Sequence, residues 1–373
     1  MLEIDGSAGG GQLLRSAIAL SVITDMPVRI EDVRGAREQP GLKVQHATAV
    51  RAAAAIANAT VEGATSGSRT VEFEPGRPSG GRHAVDIGTA GSLTLLFETL
   101  IPMAVVADAP LRLRATGGTD VTWSPPFAFL SRVKLPLLRR FGLGAAVDLE
   151  RRGFYPEGGG AATLSLFPSR VDPVRLPKPD ATDDVATVHV YAVASESLAD
   201  AEVAERMAAT VDEELTREGH DVRERVIEYA STASPGAVVT VRGDLPGTVR
   251  EPADAVRPTD GVSEPGEGVF ESRPAVGVSA LGEPGKPSEE VAREAVDRFR
   301  EFADSFGAVD RHLGDQLVVP LALAGGEVAV PTVTEHVASS VDLIERFGLE
   351  IEIESREGGT DGAILRSPGI DSV

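Results

Sequence analysis

Six histidines, at positions 46, 83, 189, 220, 312 and 336, and no cysteine set the limits on what chemistry this chain can do. Without thiols there is no thiolate nucleophile, no disulfide framework and no cysteine-ligated zinc or iron–sulfur site. No two histidines are four residues apart, the spacing of a helical metal pair, and neither an H-E-x-x-H, a G-x-S-x-G nor a G-x-x-x-x-G-K-[ST] stretch occurs. His336 is the histidine best placed for covalent work. Residues 327–333 are short, β-branched and carry Pro331, which reads as an edge or terminal strand, and Val337, Val341 and Ile344 then recur at helical spacing. Thr334 suits the helix N-cap and Gly348 its C-terminal glycine, so His336 falls in the first turn. The positive end of a helix favours neutral imidazole, the nucleophilic form, and its free N–H groups accommodate a phosphate bonded to the ring.

Two further stretches suit anionic ligands. The chain opens with a strand at 2–4, a glycine-rich turn at 6–11, and a helix that buries Leu13, Leu14, Ala17, Ile18 and Leu20, followed by a strand at 28–30. A glycine turn that opens a helix offers backbone N–H groups to phosphate, although this one is neither a Walker loop nor a dinucleotide fingerprint. Residues 34–46 then gather Arg34, Arg37 and Lys43 around Pro40-Gly41. That cluster stands out because the chain is acidic, with net charge −21 and four lysines (Lys43, Lys134, Lys178 and Lys286) among 36 basic residues. Such a composition is expected of a halophilic protein kept soluble in molar salt, where the Debye length falls to about 3 Å. An RNA ligand must then be held by short-range contacts from clustered arginines. With 373 residues and 42% hydrophobic content the chain is an ordinary globular one, and a cytoplasmic location is expected, because no signal-like or membrane-length apolar run occurs.

The elements that must position these residues repeat. Leu138-Arg139-Arg140-Phe141-Gly142-Leu143 matches Ile344-Glu345-Arg346-Phe347-Gly348-Leu349, each a helix end at glycine followed by a strand and a charged turn. The stretches QLLRSAIALSVITDMPVRI, SLTLLFETLIPMAVVADAPLRL and DQLVVPLALAGGEVAV each run from a polar cap through an apolar helix into a strand. Three copies of one α/β unit, stacked as one large domain, follow from this. Between the second and third copies lies a segment that fits neither, with strands at 185–194, 222–230 and 236–243 and an amphipathic helix at 201–215. The expected bounds are 1–183 and 279–373 for the large domain and 184–278 for a small inserted α/β domain. Residues 244–271, rich in Gly, Pro, Asp and Glu, are expected to be a mobile loop, and a helix at 288–306 to re-enter the large domain.

IDGSAGGGQLLRSAIALS, RGAREQPGLKVQH, IGTAGSLTLLFETLIP, GGTDVTWSPPFAFLSRVKLPLL, RRGFYPEGGG, HLGDQLVVPLALAGG and TEHVASSVDLIERFG follow one another in the order of a known family. By these pieces the chain resembles the RNA 3′-terminal phosphate cyclases, across the whole large domain; the insert resembles the family in position and size. The resemblance implies three repeats similar to the C-terminal domain of translation initiation factor 3 plus one inserted domain. It also implies ATP-dependent conversion of an RNA 3′-phosphate to a 2′,3′-cyclic phosphate, through a covalent histidine–AMP and an RNA–pp–A end, with Mg²⁺ or Mn²⁺ as divalent metal.

Carried over position by position, His336 matches the nucleophile. Asp315 and Gln316, with His312, Leu313 and Gly314 before them, match residues lining the ATP pocket, and Asp315 is the expected metal or ribose contact. Pro125 and Phe129 match the apolar wall of the adenine site, and Glu98 stands where the family commonly has glutamine near the nucleotide. Gln12, Arg15, Arg34, Arg37 and Gln45 match the polar cluster that meets the phosphates of ATP and the RNA end. The chain departs from the family pattern in its first glycine turn, which is two residues shorter and lacks a glutamate, and at His312, where an aromatic such as tyrosine is usual. A non-catalytic relative in ribosome assembly is the alternative, disfavoured because such proteins lack the nucleophile. An enolpyruvyl transferase would need a lysine-rich anion site. A plain RNA-binding module would form no covalent adenylate.

Overall fold

The computed structural model describes residues 1–7, 9–176, 187–244, 249–250, 271–272, 275–355 and 362–370. The first unit runs β1 (Leu2–Asp5), α1 (Gly11–Thr24), β2 (Val28–Glu31), α2 (Val44–Ala57), β3 (Thr60–Glu62), β4 (Val71–Glu74). The second runs β5 (Gly81–Asp86), α3 (Leu93–Leu100), β6 (Leu111–Gly117), α4 (Phe127–Phe129), a π turn at Leu130–Lys134, α5 (Leu135–Arg140), β7 (Ala145–Arg151), β8 (Gly160–Leu166). The third begins with β9 (Val174–Leu176). It resumes after the insert as α8 (Arg311–Ala324), β16 (Gly326–Val330), α9 (Glu335–Arg346), β17 (Glu352–Ser355) and β18 (Ala363–Ser367).

The repeat is visible in the strand pairing. The sheets are ordered β1-β2-β4-β3, β5-β6-β8-β7 and β9-β16-β18-β17. In each, the first pair is parallel and the other two are antiparallel. A parallel pair needs a crossover, and each unit supplies a helix there. Two expectations change. The insert does not separate the second and third units but interrupts the third, because β9 precedes it and pairs with β16 after it. The strand expected at an edge, β16, lies between β9 and β18; it ends at Val330, so Pro331 removes no ladder hydrogen bond.

The helices of all three units share one core. Helix α1 buries Leu14 and every residue from Ala17 to Ile23, as expected of a helix surrounded by protein, and packs against α2, α3 and α9. Gln12 at the start of α1 reaches Asp315 O on α8 and Ser340 Oγ on α9.

The insert runs β10 (Thr187–Ser195), α6 (Val203–Arg217), β11 (Val222–Ala230), β12 (Ala237–Asp244), β13 (Val249–Arg250), β14 (Glu271–Ser272), β15 (Ala275–Leu281) and α7 (Ser288–Ala303). Its sheet is ordered β11-β10-β12-β15. The expected boundary at 183 and most of the expected loop at 244–271 lie outside the described residues, but β13 pairs with β14. Helix α7, expected in the large domain, packs with the insert: Val291, Ala295, Val296 and Phe299 share a core with Met207, Val211 and Val239. Its apolar face packs against α6 and against β12 and β15 of the inserted sheet. The insert is fastened to the second unit through buried Arg152, which binds Glu228 of β11 (2.9 and 3.0 Å) and Asp120 (3.0 Å). Among the described residues no helix is long and apolar enough to cross a membrane.

Candidate functional site

Three helix starts converge. Thr334 caps α9: its hydroxyl accepts from Val337 N (3.0 Å) and donates to the Asp315 carboxylate on α8. His336, the second residue of α9, is exposed beside this junction. Asp315 is 8% exposed. Burial raises its carboxyl pKa, against the lowering effects of the Thr334 hydrogen bond and of nearby His336 and Arg311. Gln12 brings in α1 by donating to Asp315 O (3.4 Å) and Ser340 Oγ on α9 (3.3 Å). The N-cap of α1 is Gly10, with no side-chain cap, and a helix start of this kind suits an anion.

The basic cluster lies against the same end of α1. A side chain on Gly10 would place its Cβ 3.4 Å from Arg37 Nη2, so this exposed guanidinium reaches the α1 cap. A Cβ on Gly11 would stand 3.0 Å from Arg15 Nη1 and 2.5 Å from His46 Nε2, so glycine is what allows both side chains to approach the helix start. Burial lowers the Arg15 pKa, opposed by Glu98. Arg34 is buried with φ of 56°, and its Nη1 donates to Gln39 O (3.0 Å) and Gly41 O (2.8 Å), so part of its fork closes its own loop. Gln45 accepts from Ser92 N (3.2 Å) and so joins this cluster to the second glycine turn at the start of α3.

His46 is a residue that sequence reasoning missed. Its Nδ1 accepts from Lys43 N (3.3 Å), which leaves the ring proton on Nε2. Burial first, and then Arg15, Arg34 and Lys43, push its pKa down to about 3. It is a neutral donor among cations, adding no charge of its own. The signal available was its place directly after Gln45 in the basic stretch.

Other expected residues are placed differently. Glu98 forms a buried ion pair with Lys134 (2.5 Å), their side chains 10% and 4% exposed, so its carboxylate faces a lysine rather than open solvent. Phe129 lies in the main hydrophobic core, and half-buried Pro125 accepts at its carbonyl from Thr94 Oγ1 (2.7 Å). Leu313 is fully buried, and Gly314 lies against Val330, where an added Cβ would meet Cγ1 at 3.1 Å. His312 is exposed, yet partial enclosure, with Arg311, Arg298 and His336 nearby, lowers its pKa. Gln316 is half-buried with Oε1 unpartnered. Asp310, also missed, caps α8 by accepting from His312 N (2.8 Å) and Leu313 N (3.1 Å), while its Oδ2 is buried and unpartnered. A capping aspartate before an apolar run is a readable helix start.

No group of three or more His, Cys, Asp or Glu side chains able to hold a metal ion occurs among the described residues. One of the Asp315 carboxylate oxygens already accepts from Thr334. The residues present do not build a metal site by themselves.

Fold and site together define a class: an α/β protein of three like units that gathers an exposed helix-start histidine, guanidinium groups and open backbone N–H groups, a set suited to phosphates. Residues 7–354 match the family model described as RNA 3′-terminal phosphate cyclase. Similar curated proteins carry that same name: one from Halobacterium salinarum is 38% identical over 98% of this chain and 100% of its own length. One from Thermococcus gammatolerans is 40% identical over 96% and 95%, and one from Ectopseudomonas mendocina 38% identical over 94% of each. The chain belongs to the RNA 3′-terminal phosphate cyclase family and is an enzyme of that class.

Proposed function

We propose that the protein uses ATP to convert an RNA 3′-phosphate end to a 2′,3′-cyclic phosphodiester, with His336 as nucleophile. The observation that carries this is the exposed imidazole at the start of α9, joined through Thr334 to Asp315 and through Gln12 to the arginine-bearing start of α1. An imidazole nitrogen attacks the α-phosphorus of ATP, the bond to diphosphate breaks, and the ring loses its proton. The RNA 3′-phosphate oxygen then takes AMP from the histidine, and the neighbouring 2′-hydroxyl attacks the 3′-phosphorus, closing the ring and expelling AMP. Such transfers need positioning and charge neutralisation more than strong bases. Arg15, Arg34, Arg37 and Gln45 are assigned to the phosphates, and His312, Leu313, Gly314, Asp315 and Gln316 to the nucleotide, with Leu313 and Gly314 contributing backbone. Pro125 and Phe129 are assigned to the apolar wall beneath it. A divalent ion would be held by phosphate oxygens with Asp315, where it would supply charge neutralisation.

We also propose that the molecule divides into a large unit and an insert that keeps α7, and that it works in the cytoplasm. The test is incubation with α-labelled ATP at high salt: wild type should carry label that survives denaturation and is lost in acid, as a phosphoramidate is. His336→Ala and His336→Asn should carry none while keeping the wild-type circular dichroism. Wild-type labelling of either variant would remove His336 from the role, and RNA binding without any adenylate in wild type would favour the non-catalytic reading.

A further inference from the structure

The exposed tryptophan and the exposed tyrosine among the described residues stand on neighbouring loops against the glycine turn at the start of α3, and the proposed reaction uses neither. Trp123, the single tryptophan of the chain, is 95% exposed, and Tyr155 is 68% exposed. Their loops are pinned together and to the glycine turn at the start of α3. Asp120 and Phe154 form an isolated bridge, and Thr119 N and Asp120 N both donate to Gly153 O (2.9 and 3.4 Å). Gly118 N donates to Gly91 O (2.8 Å), and Leu93 N donates back to Gly118 O (2.8 Å). A Cβ on Gly158 would come 2.7 Å from Ala90 Cα, so the Tyr155 loop touches the same turn. That turn is the one Gln45 reaches from the arginine cluster, through Ser92 N.

Trp123 is also held by its backbone. Its φ is 59°, a conformation bulky residues seldom adopt, and the stiff neighbours Pro125 and Pro126, with Ser124 Oγ donating to Val121 O (2.8 Å), fix the loop around it. A large apolar side chain turned into water by a disfavoured backbone gains nothing from the fold, and apart from Tyr155 the other described Phe and Tyr side chains are buried or half-buried. Every base has a π face, and stacking does not fade in molar salt as phosphate attraction does. An acidic halophilic chain with few lysines has reason to hold RNA in this way.

We propose that Trp123 and Tyr155 form a stacking platform for the unpaired bases next to the RNA 3′ end, whose terminal phosphate lies among Arg15, Arg37 and Gln45. This rests on the cyclase reading for the identity of the strand. The platform sets substrate preference: single-stranded ends over a lone nucleotide or a blunt duplex.

Because Trp123 is the only tryptophan, its fluorescence reports the contact directly. Whole wild-type protein in molar KCl is titrated with a single-stranded oligoribonucleotide bearing a 3′-phosphate, and the expected result is saturable quenching. In steady-state cyclisation, Trp123→Ala should raise KM for that oligonucleotide by roughly tenfold. It should leave kcat and ATP-dependent labelling near wild type, and Trp123→Phe should restore most of the loss. With a single nucleotide 3′-phosphate as substrate the two proteins should differ little. Absence of quenching at RNA concentrations that saturate turnover, or an unchanged KM in Trp123→Ala, would overturn the platform and leave the rings to a protein partner. Quenching by RNA in a wild type that forms no adenylate would instead support the platform and refute the cyclase reading.

Discussion

Replacing Glu98 by glutamine tests whether this carboxylate serves the fold or the nucleotide. The Glu98 and Lys134 side chains are 10% and 4% exposed at 2.5 Å, and Arg15 also draws on the Glu98 charge. Removing one partner of a buried pair costs about 3–5 kcal/mol, and glutamine, which can still accept a hydrogen bond, should fall near 3 kcal/mol. With an unfolding entropy of about 2.1 cal/mol/K per residue, that loss lowers Tm by about 4 °C for a chain of this length. Circular dichroism melts of wild type, Glu98→Gln, Lys134→Met and the double variant measure it. The double variant should lie well above the sum of the singles, because neither member of the pair is then left charged without the other. The shift should persist across salt concentrations, since salt screens a buried pair weakly. ATP labelling per folded molecule should be retained in Glu98→Gln. An unchanged Tm together with lost labelling would refute the ion-pair argument and return Glu98 to the nucleotide.

Asp310 should make stability depend on pH. Burial raises its pKa to about 6 from an ordinary value near 3.8, so its contribution is fully present below pH 3.8 and is lost as pH rises through 6. Relative to Asp310→Asn, which keeps a capping oxygen, wild type should lose roughly 2 kcal/mol between pH 4 and 7, and a pH-independent difference in denaturant midpoints would contradict this. Arg37→Ala should weaken binding of 3′-phosphate RNA more than of 3′-hydroxyl RNA, because only the former carries the extra charge to be forked. Equal losses in filter binding would make Arg37 a backbone contact.

Local pattern alone gave much of this protein. Apolar periodicity and capping residues placed α1, α3, α6 and α9 and the strands beside them, and they put His336 in the first turn of α9 with Thr334 as its cap. These are properties of neighbouring residues, and sequence spacing encodes them. What the sequence could not give depends on partners distant in the chain. It assigned α7 to the large domain because an amphipathic stripe does not say which core it faces, and the inserted sheet claimed it. Reading β16 as an edge or terminal strand followed from Pro331, but the strand stops one residue earlier and is flanked by β9 and β18. The family resemblance set Glu98 near the nucleotide but could not show that its charge is met by Lys134, 36 residues away. Likewise His46 became a neutral donor only when folding enclosed it among Arg15, Arg34 and Lys43. Burial and charge pairing are sums over contacts from several units, so only the packed structure decides them.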